Sequence, residues 1–381
     1  MLTKKDEKGD VRMKKVKFYT NLNQVEQLSQ ETKETLQPIT DKYVFRANDY
    51  YLNLIDWEDP NDPIRKIIIP NINELNEYGD WDASDEAKNY VVPGCQHKYT
   101  TTALLVVSEV CGAYCRFCFR KRLFNNDVEE VQINPQPGID YIREHPEINN
   151  VLLTGGDSLM LSTKRLENII SQLREIDHVK IIRLGSKLPV FNPMRIYEDE
   201  KLLEMFKKYS TPEKRIYLMA HVNHPREITE EARKAFEALH NAGVIVMNQT
   251  PILKGINDDP DVLAELLDKL SWAGVHPYYF FINRPVAGNY DFVLPLKDVY
   301  EIVEAAKAKT SGLGKRVRLA MSHKTGKIEI LAIKDGKAYL KYHQAKYGNY
   351  GEFMVLDCPD DAAWFDDLIG YEEYVKETVE V

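Results

Sequence analysis

From about residue 100 onward, short apolar runs alternate with longer amphipathic segments, and this rhythm restricts the possible folds more than any other feature of the chain. The runs fall at residues 103–108, 150–154, 179–184, 215–220, 244–248 and 276–282. Each is β-branched or aromatic-rich and apolar at nearly every position, the pattern of a strand buried on both faces. Between them, segments such as 163–175, 229–241 and 260–272 carry helical periodicity. Thr229, followed by Glu231 and Ala232, reads as a helix start, and Gly243 as its stop. Six such repeats predict an α/β fold, a partial (β/α)6 TIM-like barrel with its helices outside. Six strands instead of eight would leave one side splayed open, with room for a large substrate or a bulky cofactor pair.

The ends differ in character. Residues 1–90 read as a mostly helical N-terminal extension with turns such as Asp59-Pro60-Asn61-Asp62-Pro63, and residues 91–315 as the barrel core. Residues 316–381 form a C-terminal region in which strands at 327–334 and 337–342 flank Asp335-Gly336, the strongest short hairpin signal in the chain. The acidic stretch 357–381 is expected to cap the surface. With 29% charged residues and a net charge of -9, the composition is that of a globular chain and argues against a general nucleic-acid binder. No apolar run is long enough to span a bilayer. Lys4, Lys5 and Lys8 are followed by no apolar stretch of the kind a secretory signal has, so a cytoplasmic protein is expected.

Five cysteines in 381 residues do not make a disulfide framework. Three of them, Cys111, Cys115 and Cys118, lie within eight residues, while Cys95 and Cys358 stand apart. A structural zinc site usually takes four protein ligands, and no second Cys or His pair follows here. A cubane iron–sulfur cluster on three cysteines would keep one iron open to a substrate or cofactor. A structural zinc site and an unligated cysteine loop are the competing readings.

The cysteine loop follows the first strand, at the strand ends where such barrels place their active sites. Polar residues recur at the same rim: Gly155-Gly156-Asp157-Ser158, Arg183, Ser186, His221, Asn223, His224, Asn248, Gln249 and Asn283-Arg284. Singly, each could be a loop residue satisfying its own backbone. Paired glycines also let a backbone approach a ligand closely.

The cysteine spacing, with an aromatic residue before the second and the third, resembles the radical S-adenosylmethionine (SAM) superfamily. The resemblance implies a [4Fe-4S] cluster on Cys111, Cys115 and Cys118, with SAM bound at the open iron and cleaved to a 5′-deoxyadenosyl radical. It also implies SAM contacts from Gly155, Gly156 and Asp157, and from His221 and Gln249. Only Cys95 and Cys358 remain for an auxiliary cluster, too few to hold one.

Further segments resemble the lysine 2,3-aminomutase family over residues 45–315. They include Val92-Pro93-Gly94 with His97-Lys98-Tyr99, Pro189-Val190-Phe191-Asn192-Pro193, Asn223-His224-Pro225 and Asn248-Gln249-Thr250-Pro251. That family moves an α-amino group to the β-carbon of an amino acid held on pyridoxal phosphate (PLP). The resemblance implies that Arg120 clamps the substrate carboxylate, a task suited to a planar fork. It also implies that Tyr99 and Lys98 lie at PLP and that Lys327 or Lys324 bonds it. Thr102 stands where the family has an arginine for the PLP phosphate, and the family's glycine run before the PLP lysine is absent. Arg284 and Ala320 stand where a lysine-specific member has carboxylates, so the expected substrate is an anionic or polar amino acid instead of lysine. An unidentified electron donor and homo-oligomers are further expectations. The alternative function keeps the cluster and SAM but abstracts hydrogen without PLP. A non-enzymatic metal-binding or interaction protein is a third.

Overall fold

The computed structural model describes residues 16–76, 78–124, 134–346, 348 and 350–376. The Met1–Lys8 stretch and the end of the acidic tail lie outside them. A two-stranded ribbon, β1 (Phe18–Tyr19) and β2 (Ala47–Asn48), stands in the N-terminal part. Helix Gln30–Lys42 and shorter helical turns surround it.

The remaining strands build one twelve-stranded mixed sheet. In chain order they are β3 (Tyr90–Val92), β4 (Cys95–Tyr99), β5 (Thr102–Ser108), β6 (Asn150–Gly155), β7 (Ile181–Ser186) and β8 (Ile216–Ala220). They continue with β9 (Ile245–Ile252), β10 (His276–Ile282), β11 (Arg318–His323), β12 (Gly326–Lys334), β13 (Lys337–Ala345) and β14 (Phe353–Asp357). Strands β5 to β11 are parallel neighbours in sequence order, and antiparallel strands flank them on both sides. The six expected strands are all present. A seventh parallel strand, β11, joins them because Leu319, Ala320 and Met321 are buried beside β10. The hairpin turns at Asp335-Gly336, with positive φ at both residues, 50° and 70°.

The helices between the parallel strands are held by ordinary local rules. Ser162 caps helix Thr163–Arg174, which buries Leu166, Ile169, Ile170 and Leu173 on one stripe. Thr229 caps Glu230–Asn241 through the Ala232 amide, and the chain leaves that helix through Gly243 at φ 77°. Asp259 caps Pro260–Trp272, which opens on proline.

Strands running in chain order place successive helices on the same side, and the sheet curls. Lys98 on β4 donates from Nζ to the His323 carbonyl of β11 at 2.6 Å. Seven strand intervals separate these two strands, on the order of 30 Å in a flat sheet. The curl brings the C-terminal strands over the beginning of the first parallel strand, and it encloses a cavity.

Candidate active site

The segment after β5 is fixed from outside by the N-terminal part. Tyr114 donates its amide to the Arg46 carbonyl at 2.9 Å, and Arg116 to that of Ile67 at 2.8 Å. Asn48 Nδ2 reaches the carbonyls of Gly112 and Phe191 at 3.1 and 3.0 Å. The Arg116 guanidinium is buried against Glu74, at 2.7 Å. These bonds present Cys111, Cys115 and Cys118 to a cavity of about 360 Å³.

All three thiols are free. Burial pushes each upward, Cys115 to about 12, and a cation opposes this beside each: Arg46 at Cys111, Lys187 at Cys115, and Arg120 with Lys121 at Cys118. Among the described residues no three His, Cys, Asp or Glu side chains converge as ligands of one metal ion. A cubane takes each thiolate on a different iron. Three thiols on one wall with adjacent cations suit the cluster.

Gly155 and Gly156 pack against the strand that leads into the cysteines. A Cβ on Gly155, whose φ is +116°, would meet the Ser108 carbonyl oxygen at 2.4 Å, and one on Gly156 would meet that of Val110 at 2.6 Å. The Gly156 amide donates to Ser108 O at 2.6 Å, and that of Asp157 to Val110 O at 2.9 Å. The glycines are therefore required by protein packing, and both also line the cavity. Asp157 is buried, and its carboxylate accepts amides from Leu159, Lys187 and Leu188 at 3.0, 2.7 and 3.2 Å. Burial lifts it to about 6 against the pull of these bonds.

His221 is half-buried, its Nε2 is enclosed without a partner among the described residues, and burial followed by the Lys187 charge holds the ring well below the usual histidine range. Lys187 itself is bound to Glu227 at 2.6 Å and to Asn223 at 2.7 Å. Gln249, on β9, faces the same cavity. Asn89 Oδ1, Gln96 Nε2 and Asn283 Nδ2 are also buried at the cavity without a partner among the described residues. Leaving such groups unsatisfied costs about 1–3 kcal/mol each, which a polar ligand would recover.

A cluster of cations occupies the wall near Phe119. Arg120 forks onto Glu86, with Nε at 3.1 Å and Nη2 at 3.0 Å, and its Nη1 donates to Thr154 at 3.0 Å. Arg122 lies 3.0 Å from Glu86 and 3.7 Å from Asp82. Arg284 stacks 3.7 Å over the Phe119 ring and comes no nearer than 3.8 Å to Glu86. Burial would raise the Glu86 carboxyl, yet Arg120, Arg284 and Arg122 hold it far below the usual carboxylate range. Burial lowers Arg284 to about 10.

Lys327, on β12, faces its cross-strand neighbours Ser322 and Gln344, and its Nζ sits 4.1 Å over the Tyr279 ring. Burial, then the charges of Arg183, Arg284 and Lys98, push it down to about 7. Lys98 is likewise lowered to about 7, chiefly by burial. Tyr99 lines the cavity, its phenol pushed up by burial. Lys324 does not join them: it is 41% exposed and lies 3.5 Å from Asp366, outside the cavity. Every other residue to which the resemblance gives a role lines this one space, whereas Ser158, Asn223, His224 and Asn248 of the rim do not. Glu86 and Lys187 were not expected there, nor was Glu227, which is buried behind Lys187. Glu86 sits in the polar run Asp82-Ala83-Ser84-Asp85-Glu86, which reads as a solvated turn.

Comparison with known proteins assigns the class. The profile of the "Radical SAM superfamily" matches residues 105–267. A protein of Aquifex aeolicus named "Putative L-lysine 2,3-aminomutase" is 52% identical over 96% of this chain and 97% of its own. The L-lysine 2,3-aminomutase of Clostridium subterminale is 40% identical over 75% of this chain and 68% of its own. The glutamate 2,3-aminomutase of Clostridioides difficile is 38% identical over 77% and 68%. The chain belongs to the lysine 2,3-aminomutase family of radical SAM enzymes.

Proposed function

We propose that the chain is a radical SAM aminomutase that shifts the amino group of an amino acid with an anionic or polar side chain, in the cavity that the curled sheet encloses. The reading rests on one observation above others: the three thiols, the unpaired His221 nitrogen and the low-pKa Lys327 amine all open on the same cavity. Cys111, Cys115 and Cys118 would hold the [4Fe-4S] cluster, with SAM beside Gly155, Gly156, Asp157, His221 and Gln249. Lys327, with Lys98 and Tyr99 around it, would hold PLP. Bound there, the cluster with SAM supplies hydrogen abstraction, and PLP a covalent hold on the substrate nitrogen.

The chain's own groups do the positioning. An amine lowered to about 7 is about half deprotonated at neutral pH and so a competent nucleophile toward an aldehyde, which a surface lysine is not. Arg120 is oriented by Glu86 and Thr154 and would share its fork with the α-carboxylate. Arg120 pairs with Glu86 and Arg122 with both Glu86 and Asp82, which leaves Arg284 the least matched of the three guanidinium groups around Glu86. A distal acid fits that remaining charge, and a distal ammonium opposes it. Its relatives include both a lysine and a glutamate aminomutase by name.

Thr102 and the missing glycine run favour a second reading, in which PLP is absent and SAM chemistry acts alone. Borohydride reduction of the PLP-loaded protein followed by peptide mass spectrometry separates the two. The first reading expects the pyridoxyl mass on Lys327; an unlabelled Lys327 rejects it. Among the described residues no helix is long and apolar enough to cross a membrane.

A further inference from the structure

Arg183 has entered so far only as a charge on Lys327, although it projects into the cavity from β7. Its Nε donates to Asn150 Oδ1 at 2.8 Å, and it has no carboxylate partner among the described residues' ion pairs. Asn150 opens β6 and is the direct cross-strand neighbour of Thr102 on β5. In register, Arg183 stands opposite Leu152, two residues further along β6. The side chain therefore leans back along the sheet to the level of Thr102, one strand away from it. A guanidinium donates through five N–H groups, and only one of Arg183's is committed to Asn150.

We propose that Arg183 is the phosphate anchor of the cofactor site, supplying from β7 the cation that Thr102 does not supply from β5. The proposal rests on the reading in which Lys327 carries PLP. A phosphate dianion is the ligand chemistry that a lone, half-buried fork recognises best. Arg183 is also the charge that weighs most on Lys327 after burial. Before the ligand binds, a cation at the phosphate end thus helps lower the amine at the aldehyde end, so one side chain prepares both ends of the same site. Thr102, on the cavity wall at the same level, offers a hydroxyl to a remaining phosphate oxygen.

The test compares PLP with pyridoxal, which has the aldehyde but no phosphate, by titrating full-length protein without SAM. The readouts are the visible absorbance change on joining a lysine and the dissociation constant it yields. Wild type is expected to prefer PLP strongly. Arg183→Gln is expected to weaken PLP by about 10- to 100-fold, the loss of charged hydrogen bonds, and to leave pyridoxal within about twofold. Arg183→Lys keeps the charge without the fork, should fall between the two, and serves if the glutamine variant does not fold. Equal weakening of both ligands, or PLP binding unchanged in both variants, overturns the role of Arg183 alone. No absorbance change with PLP in wild type overturns it together with the reading on which it rests.

Discussion

Lys327 is an amine surrounded by aromatic rings and other cations, and proton linkage gives that setting a measurable consequence. Its folded-state value of about 7 lies below the ordinary 10.5, and Lys98 behaves alike. Between those two values the unfolded chain binds protons that the folded chain has released, so apo stability rises with pH across that window. Below about 7 both states are protonated and the penalty of the buried charge is fully present. Denaturant titrations of the apo protein at several pH values check this. Lys327→Met should flatten the slope and raise the midpoint at pH 7, and an unchanged slope would contradict the assignment. Arg284→Ala should lower kcat/KM for an acidic amino acid by about 10- to 100-fold, the worth of a charged hydrogen bond. Turnover that is indifferent to the change rules out Arg284 as the side-chain contact. The double change Arg284→Asp with Ala320→Asp should turn the preference toward lysine, measured as the ratio of kcat/KM values. Sequence disclosed these residues unevenly. The cysteines declare themselves by spacing, whereas Glu86 takes its role from three arginines distant in sequence, and no local pattern marks it.

At the scale of the element, the glycine pair after β6 links sheet packing to the cysteine loop. Gly155→Ala and Gly156→Ala should each cost about 1–3 kcal/mol by overpacking against Ser108 and Val110. Both should also reduce iron and sulfide retained per chain after anaerobic reconstitution. Gly312→Ala, where a Cβ would meet nothing within 4 Å, is the control. Full iron retention in the glycine variants would separate the pair from the cysteine loop. At the β12–β13 turn, Gly336→Ala should cost about 1–2 kcal/mol, since an alanine there must hold positive φ. Thermal unfolding measures it, with iron content expected unchanged. The six parallel strands were legible because a strand covered on both faces is apolar throughout. Strand β11 was obscured by Arg318, Ser322 and His323, which break the apolar run, while its neighbours supply the burial. The Asp335-Gly336 hairpin was legible because its turn chemistry is local.

For the molecule as a whole, parallel strands in unbroken chain order explain why residues more than 200 positions apart share one cavity. Lys98 and His323 meet because the sheet curls, and with that curl Lys327 comes to the same space as the cysteines. Sequence rhythm indicated the order of strands. It could not indicate which of Lys324 and Lys327 turns inward, since strand pairing across β11, β12 and β13 sets that choice. The N-terminal part reads in sequence as a mostly helical extension, yet Arg46, Asn48, Ile67 and Glu74 fasten the cysteine segment. The central claim is that a reducible cluster on three thiols and a lysine of lowered basicity act on one amino acid with an anionic or polar side chain, an acidic one first of all. Its most direct test incubates anaerobically reconstituted protein with SAM, PLP, dithionite and either glutamate, aspartate or lysine, and quantifies 5′-deoxyadenosine and β-amino acid by mass spectrometry. Both products should form with an acidic amino acid, fall away with lysine, and vanish in Cys118→Ala; intact SAM under reduction, or lysine as the preferred substrate, would contradict the account.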